Sequence, residues 1–226
     1  ATMPYFAMSR LSLLDRGMVF AIAHVRGGGE LGRPWYEGGK ELSKPNTFSD
    51  FVQAGRLLTS DGHVAPGKLL AEGGSAGGLL IGAAVNLAPE LFRAVHAAVP
   101  FVDPLTTILN PDLPLTVMEW EEWGNPITDQ AVYQTMKAYS PYENVRPVAY
   151  PAILITTSLN DTRVEVTEPA KWTARLRDLT TNPDDHPILL KTEMVAGHGG
   201  VSGRYKAWRE RAFQLAWLLH QVGITA

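Results

Sequence analysis

Unbroken apolar runs alternate along this chain with stretches in which apolar residues recur every three or four positions. The runs Met18–Val25, Lys68–Ala71, Ala94–Val99, Ala152–Thr157 and Ile188–Met194 predict short strands buried on both faces. The helical spacing predicts a short helix within residues 1–16, carrying Leu11, Leu13 and Leu14 and stopped at Gly17. A second helix, capped by Asn46 or Thr47, would bury Phe48, Phe51, Val52, Gly55, Leu57 and Leu58. Further helices are predicted from just after Ser75 to about Leu87, from about Glu168 to Leu179 and from Arg204 to Val222. Gly38–Asn46 reads as loop, Asp61-Gly62 and Pro66-Gly67 as turns, and 101–150 as an irregular loop-and-helix excursion rich in proline and aromatics. Strand and helix alternate throughout, which predicts a single α/β domain over 1–226, with a mostly parallel, doubly wound sheet.

Composition narrows the functions available to such a domain. A net charge of −3 offers no basic footprint for nucleic acid and no attraction to an anionic membrane surface. With no cysteine, disulfides, thiolate-bound metals and a thiol nucleophile are excluded, and a reducing, cytoplasmic setting is the expectation. The first ten residues lack the layout of a signal peptide, and no apolar run reaches the ~18 residues of a membrane span.

The chemistry gathers where the runs end. Lys68–Ala71 leads into Gly73-Gly74-Ser75-Ala76-Gly77, followed at once by a helix of small residues, the order of a nucleophile elbow. Such a serine sits at an unfavourable backbone angle, so small neighbours at Gly73 and Gly77 are expected, and the helix N-terminus can stabilise negative charge. A serine hydroxyl needs a histidine base oriented by a carboxylate, in the chain order Ser, Asp, His on this fold. The strand from Ala152 runs into Asp161, and the strand from Ile188 runs into Gly197-His198-Gly199, which puts both on loops past strand ends. The other histidines read otherwise, His24 and His96 as core residues and His63 and His186 as solvated. Asp103 reads as a turn cap, and no metal-ligand spacing is present. Within Glu119-Trp120-Glu121-Glu122-Trp123, an extended chain would point Glu119 and Glu121 the same way, able to hold a cation; a helix end with surface glutamates is the other reading.

These residues, with Arg26-Gly-Gly-Gly-Glu30, Glu122-Trp-Gly-Asn-Pro126, Tyr139-Ser-Pro-Tyr142 and Glu168-Pro-Ala-Lys-Trp172, resemble the prolyl oligopeptidase family of serine peptidases, and within it the oligopeptidase B branch. The resemblance covers nearly the whole chain. It implies an α/β-hydrolase fold and cleavage of short peptides after Arg or Lys, with no cofactor. Ser75 would be the nucleophile, Asp161 the acid, His198 the base and the Ala76 N–H an oxyanion donor. Glu119 and Glu121 would bind the basic side chain against Phe101, and Arg163 the peptide backbone. Met3 and Tyr5 stand where the branch often carries acids for the next subsite. The resemblance also implies that the first sheet strands, a tyrosine oxyanion donor and an N-terminal β-propeller, a partner segment or chain, lie upstream of these residues. An esterase or acylaminoacyl peptidase with the same three residues, or an inactive fragment that binds a partner, are the alternatives.

Overall fold

The computed structural model describes residues 5–225, so the expectation for Met3 lies outside the described residues. In chain order the helices and strands are α1 (Met8–Leu14), α2 (Arg33–Glu37), α3 (Pro45–Ser60), β1 (Leu70–Gly74), α4 (Ala76–Leu87), β2 (Ala94–Ala98), α5 (Pro104–Ile108), α6 (Thr116–Trp123), α7 (Gln130–Tyr139), β3 (Ala152–Ser158), α8 (Thr167–Leu179), β4 (Ile188–Glu193) and α9 (Arg204–Gln221). The strands form one parallel sheet in the order β1-β2-β3-β4.

Register decides what each face buries. Ala71, Val95, Ile153 and Ile188 align across the sheet, and so do Gly73, Ala97 and Ile155. This face packs under Val52 of α3, Ile81 and Val85 of α4, and Trp172 and Leu176 of α8. The alternate residues Leu70, Ala94 and Ala152 meet Leu218 of α9 on the opposite face. Side chains alternate along a strand, so helices on both faces require apolar residues at every position, which is why the strands read as unbroken runs. None of the described helices is long and apolar enough to cross a membrane.

The excursion 101–150 folds into α5, α6 and α7 over the carboxyl end of β2, around Phe48, Leu79, Ile108 and Met136. It forms a second apolar cluster that roofs the strand ends.

Several expectations are corrected. Met18–Val25 is not a strand, and His24 within it is exposed. Among the described residues no strand pairs with it; its apolar side chains Met18 and Phe20 pack on Leu215, Leu219 and Ile224 instead. The second helix starts earlier, with Pro45 at its first position and Asn46 and Thr47 inside it, because proline needs no hydrogen-bond acceptor there. Leu57 is exposed. His186 is not simply solvated, its ring lying 2.6 Å from Arg93 Nη1 and 2.9 Å from the Tyr150 carbonyl. Asp103 is fully buried and paired with Lys171 rather than capping a turn.

Candidate active site

Ser75 stands between β1 and α4 with φ 56° and ψ −119°, a conformation rare for a residue with a side chain. Its own N–H is held by the Ala98 carbonyl at 2.9 Å. Its carbonyl accepts from Gly78, Leu79 and Phe101, so the turn is tied to β2 and to α4 at once. The crowding is local: a Cβ on Gly73 would fall onto the Gly77 carbonyl, and one on Gly78 would come 2.5 Å from the Pro100 Cα. Gly77 itself, expected to be confined, has nothing within 4 Å of a would-be Cβ. The Ala76 N–H opens α4 and finds no acceptor among the described residues, as the first N–H groups of a helix do.

The loops after β3 and β4 bring two more groups to this serine. His198 Nε2 lies 3.1 Å from Ser75 Oγ, and His198 Nδ1 lies 2.7 Å from Asp161 Oδ2. The remaining oxygen of Asp161 accepts the N–H groups of Arg163 and Val164 at 2.9 and 3.0 Å. The Asp161 side chain is buried, and that of His198 keeps a fifth of its surface (19%) in contact with solvent. A carboxylate only accepts, so the proton sits on Nδ1 and Nε2 is free to take one from the serine. A hydroxyl, an imidazole and a carboxylate thus form one proton path.

Beside the serine lies a cavity of about 340 Å³, walled by Phe101, Thr107, Ile108, Trp123 and Val164. Ser75, Ala76, Asp161, Arg163 and Glu119 all reach it. Glu119 accepts the indole N–H of Trp123 at 2.8 Å, and no Lys or Arg among the described residues pairs with it. Glu121 is not brought to the cavity. The stretch is helical in α6, so residues two apart face nearly opposite ways, and Glu121 is exposed. Arg163 is exposed at the rim, and Tyr5 is exposed on the surface.

Residues outside the predicted set lie at this cavity or behind its Trp123 wall. Glu165 lines its rim. Lys44, buried beneath the Trp123 ring at 4.7 Å, gives its ammonium to Glu122 at 2.6 Å, and the same carboxylate accepts the Tyr36 hydroxyl at 2.9 Å. That hydrogen bond, then burial and the Glu122 charge, hold the Tyr36 phenol above its ordinary range. Val99, just past β2, is held at φ 40°. A β-branched residue there is strained, and strain of this kind gathers at functional sites. Tyr36 and Lys44 are far from α6 in sequence, so no spacing announces them. A larger apolar groove of about 870 Å³ between α1 and α9 shares no lining residue with the site. Among the described residues no group of three or more His, Asp or Glu could hold a metal ion.

Comparison with known proteins places this geometry in context. The model of the prolyl oligopeptidase family matches residues 4–225. Dipeptidyl aminopeptidase BI of Pseudoxanthomonas mexicana is 48% identical over 99% of this chain and 30% of its own length. Protease 2 of Moraxella lacunata is 50% identical over 99% of this chain and 32% of its own length. Oligopeptidase B from Leishmania major superposes with a TM-score of 0.95 at 48% identity, covering all of this chain and 31% of that one. The chain therefore spans about a third of the length of the curated relatives it matches.

Proposed function

The chain belongs to the prolyl oligopeptidase family of peptidases, and from that premise we propose that it carries the catalytic centre of a serine peptidase cutting short peptides after Arg or Lys. The observation that carries this reading is the Ser75–His198–Asp161 path opening on a cavity with a carboxylate, Glu119, in its wall.

In this reading Ser75 Oγ attacks the peptide carbonyl as His198 Nε2 takes its proton, and Asp161 holds the imidazolium that forms. The carbonyl oxygen gains a negative charge, which the free Ala76 N–H receives at the start of α4. His198 then returns the proton to the departing amine, leaving an ester on Ser75. Water then attacks the ester carbonyl as His198 takes its proton, and His198 returns that proton to Ser75 Oγ as the acid leaves. Glu119 pairs with the guanidinium or ammonium of the residue before the cut, while Phe101 and Trp123, packed on each other with ring centroids 5.4 Å apart, offer an apolar wall to its aliphatic stem. Arg163 at the rim binds the peptide backbone. In this reading a β-propeller segment or partner chain, as the family resemblance implies, restricts the site to short peptides.

Ser75→Ala is expected to lower turnover of an Arg or Lys ester by at least about 10³-fold without shifting the urea midpoint. Glu119→Gln should lower kcat/KM by about 10–100-fold for basic substrates and leave neutral esters alone. Glu121→Gln should stay close to the parent. Equal losses on basic and neutral substrates in Glu119→Gln would favour an unselective esterase. A second reading follows from the relative named as a dipeptidyl aminopeptidase. Substrates with free and blocked amino termini separate the two, since only an endopeptidase accepts the blocked form.

A further inference from the structure

The stretch Glu168-Pro-Ala-Lys-Trp172 takes no part in acyl transfer, yet the Glu168 side chain is almost wholly buried, at 3% exposure. It sits in the first turn of α8, directly after the loop that carries Asp161. Its carboxylate is used at both oxygens: Oε2 accepts the Asp103 N–H at 2.8 Å and Oε1 accepts the Thr107 hydroxyl at 2.6 Å. One turn on, Lys171 pairs with the buried Asp103 carboxylate and lies 4.9 Å from the Tyr142 ring centroid. The first turn of α8 therefore grips both the backbone and the side chain of the segment that enters α5.

That segment is the cavity wall. Phe101, Thr107 and Ile108 all line the cavity beside Ser75. It also carries α6: the Thr107 carbonyl accepts the Thr116 hydroxyl at 3.1 Å, and the Ile108 carbonyl accepts the Trp120 indole N–H at 3.4 Å. Glu119 lies on that helix, so a shift of Asp103–Ile108 moves the wall and the carboxylate together.

We propose that Glu168 is a positioning residue of this site: by hydrogen bonding to Asp103 and Thr107 together, it sets the distance between the Phe101–Ile108 wall and Ser75 that substrate binding requires. The proposal rests on the peptidase reading above. Burying a carboxylate beside another costs free energy, so a purely structural anchor would be better served by an apolar residue. What the side chain supplies instead is two fixed hydrogen-bonding atoms joining the acid loop to the wall. Burial first, and the neighbouring Asp103 charge, push the Glu168 carboxyl up to about 7 against the bonds from Thr107 and Asp103 and the Lys171 charge. Glutamine keeps both links without the charge, its carbonyl accepting the Asp103 N–H and its amide donating to Thr107 Oγ1, the reverse of the direction seen here.

The test compares Glu168→Ala, Glu168→Gln and Thr107→Val in the full chain by ester kinetics and by amide hydrogen exchange. Labelling of Ser75 with a fluorophosphonate reports on the serine separately. Glu168→Ala should raise KM about tenfold with kcat within about threefold, because binding and not bond-making is disturbed. Exchange should rise in 101–110 and stay unchanged in β2 and β3. Glu168→Gln should restore KM and exchange to near the parent. Unchanged KM and exchange in Glu168→Ala overturn the proposal, and so does a rise in exchange spread evenly over the sheet. Should Glu168→Ala not fold, Thr107→Val decides by the same two readouts: raised KM and local exchange support the proposal, parental values overturn it. A parent that the fluorophosphonate does not label refutes the peptidase reading instead, and local exchange then decides the role of Glu168.

Discussion

A glycine beside the serine matters only where a methyl group has no room, and the two that flank Ser75 differ in this. A Cβ on Gly73 would meet the backbone of Gly77, which no rotamer change relieves, whereas a Cβ on Gly77 meets open space. Gly73→Ala is therefore expected to destabilise by about 2–4 kcal/mol, and Gly77→Ala to be neutral or to stabilise by about 0.5–1 kcal/mol through helix propensity. Urea unfolding measures both. Equal effects would mean that strand–helix crowding is not what shapes the elbow. The spacing of the motif treats the two glycines alike because it records distance along the chain, not the direction in which each Cα–H points. It does reveal Ser75, Asp161 and His198, since each ends a legible strand and the parallel sheet brings strand ends together.

At the scale of elements, legibility followed burial. β1 to β4, α4, α8 and α9 fall close to the predicted stretches because each is packed on a face whose period the sequence repeats. Met18–Val25 has the apolar content of a strand, but content does not provide a partner, and a strand exists only through its ladder. Glu119 and Glu121 were separated for the opposite reason: the segment is short enough to read as extended, and tertiary packing made it a helix. What fixes that helix lies on α2 and at the start of α3. Lys44→Met removes the cation between Glu122 and Trp123 and should cost about 1–3 kcal/mol, with KM rising as α6 loosens. Lys44→Met with Glu122→Gln should recover part of that stability, because the stranded charge is gone. A double variant less stable than the single one by urea midpoint would show that the pair is not the brace.

Two acids on opposite faces of the sheet, Glu72 at the surface and Glu168 buried, give the whole molecule a pH profile that neither element has alone. On the α9 face, desolvation pushes the Glu72 carboxyl up, but the nearby His96 ring, the two hydrogen bonds from Arg211 and the Arg211 charge outweigh it and bring it down to about 2. Its ordinary value is 4.5, so the folded form holds fewer protons than the unfolded one between those limits. The stability it confers is complete above 4.5 and is lost as pH falls toward 2. Glu168, on the α8 side, runs the other way. Its folded value of about 7 exceeds the ordinary 4.5, so the native state keeps the proton longer and stability declines as pH rises between the two. The sum predicts greatest stability near about pH 5, with a fall on each side. Calorimetry across pH 3–9 should show Glu168→Gln flattening the fall toward neutrality and raising Tm at pH 8 by about 5 °C. Arg211→Ala should instead weaken the acid limb, since Glu72 then loses the cation that holds its charge. If each variant lowers Tm evenly at every pH, the two side chains act only by packing. The profile would then have to come from the many exposed carboxylates, whose effect fades as salt is raised.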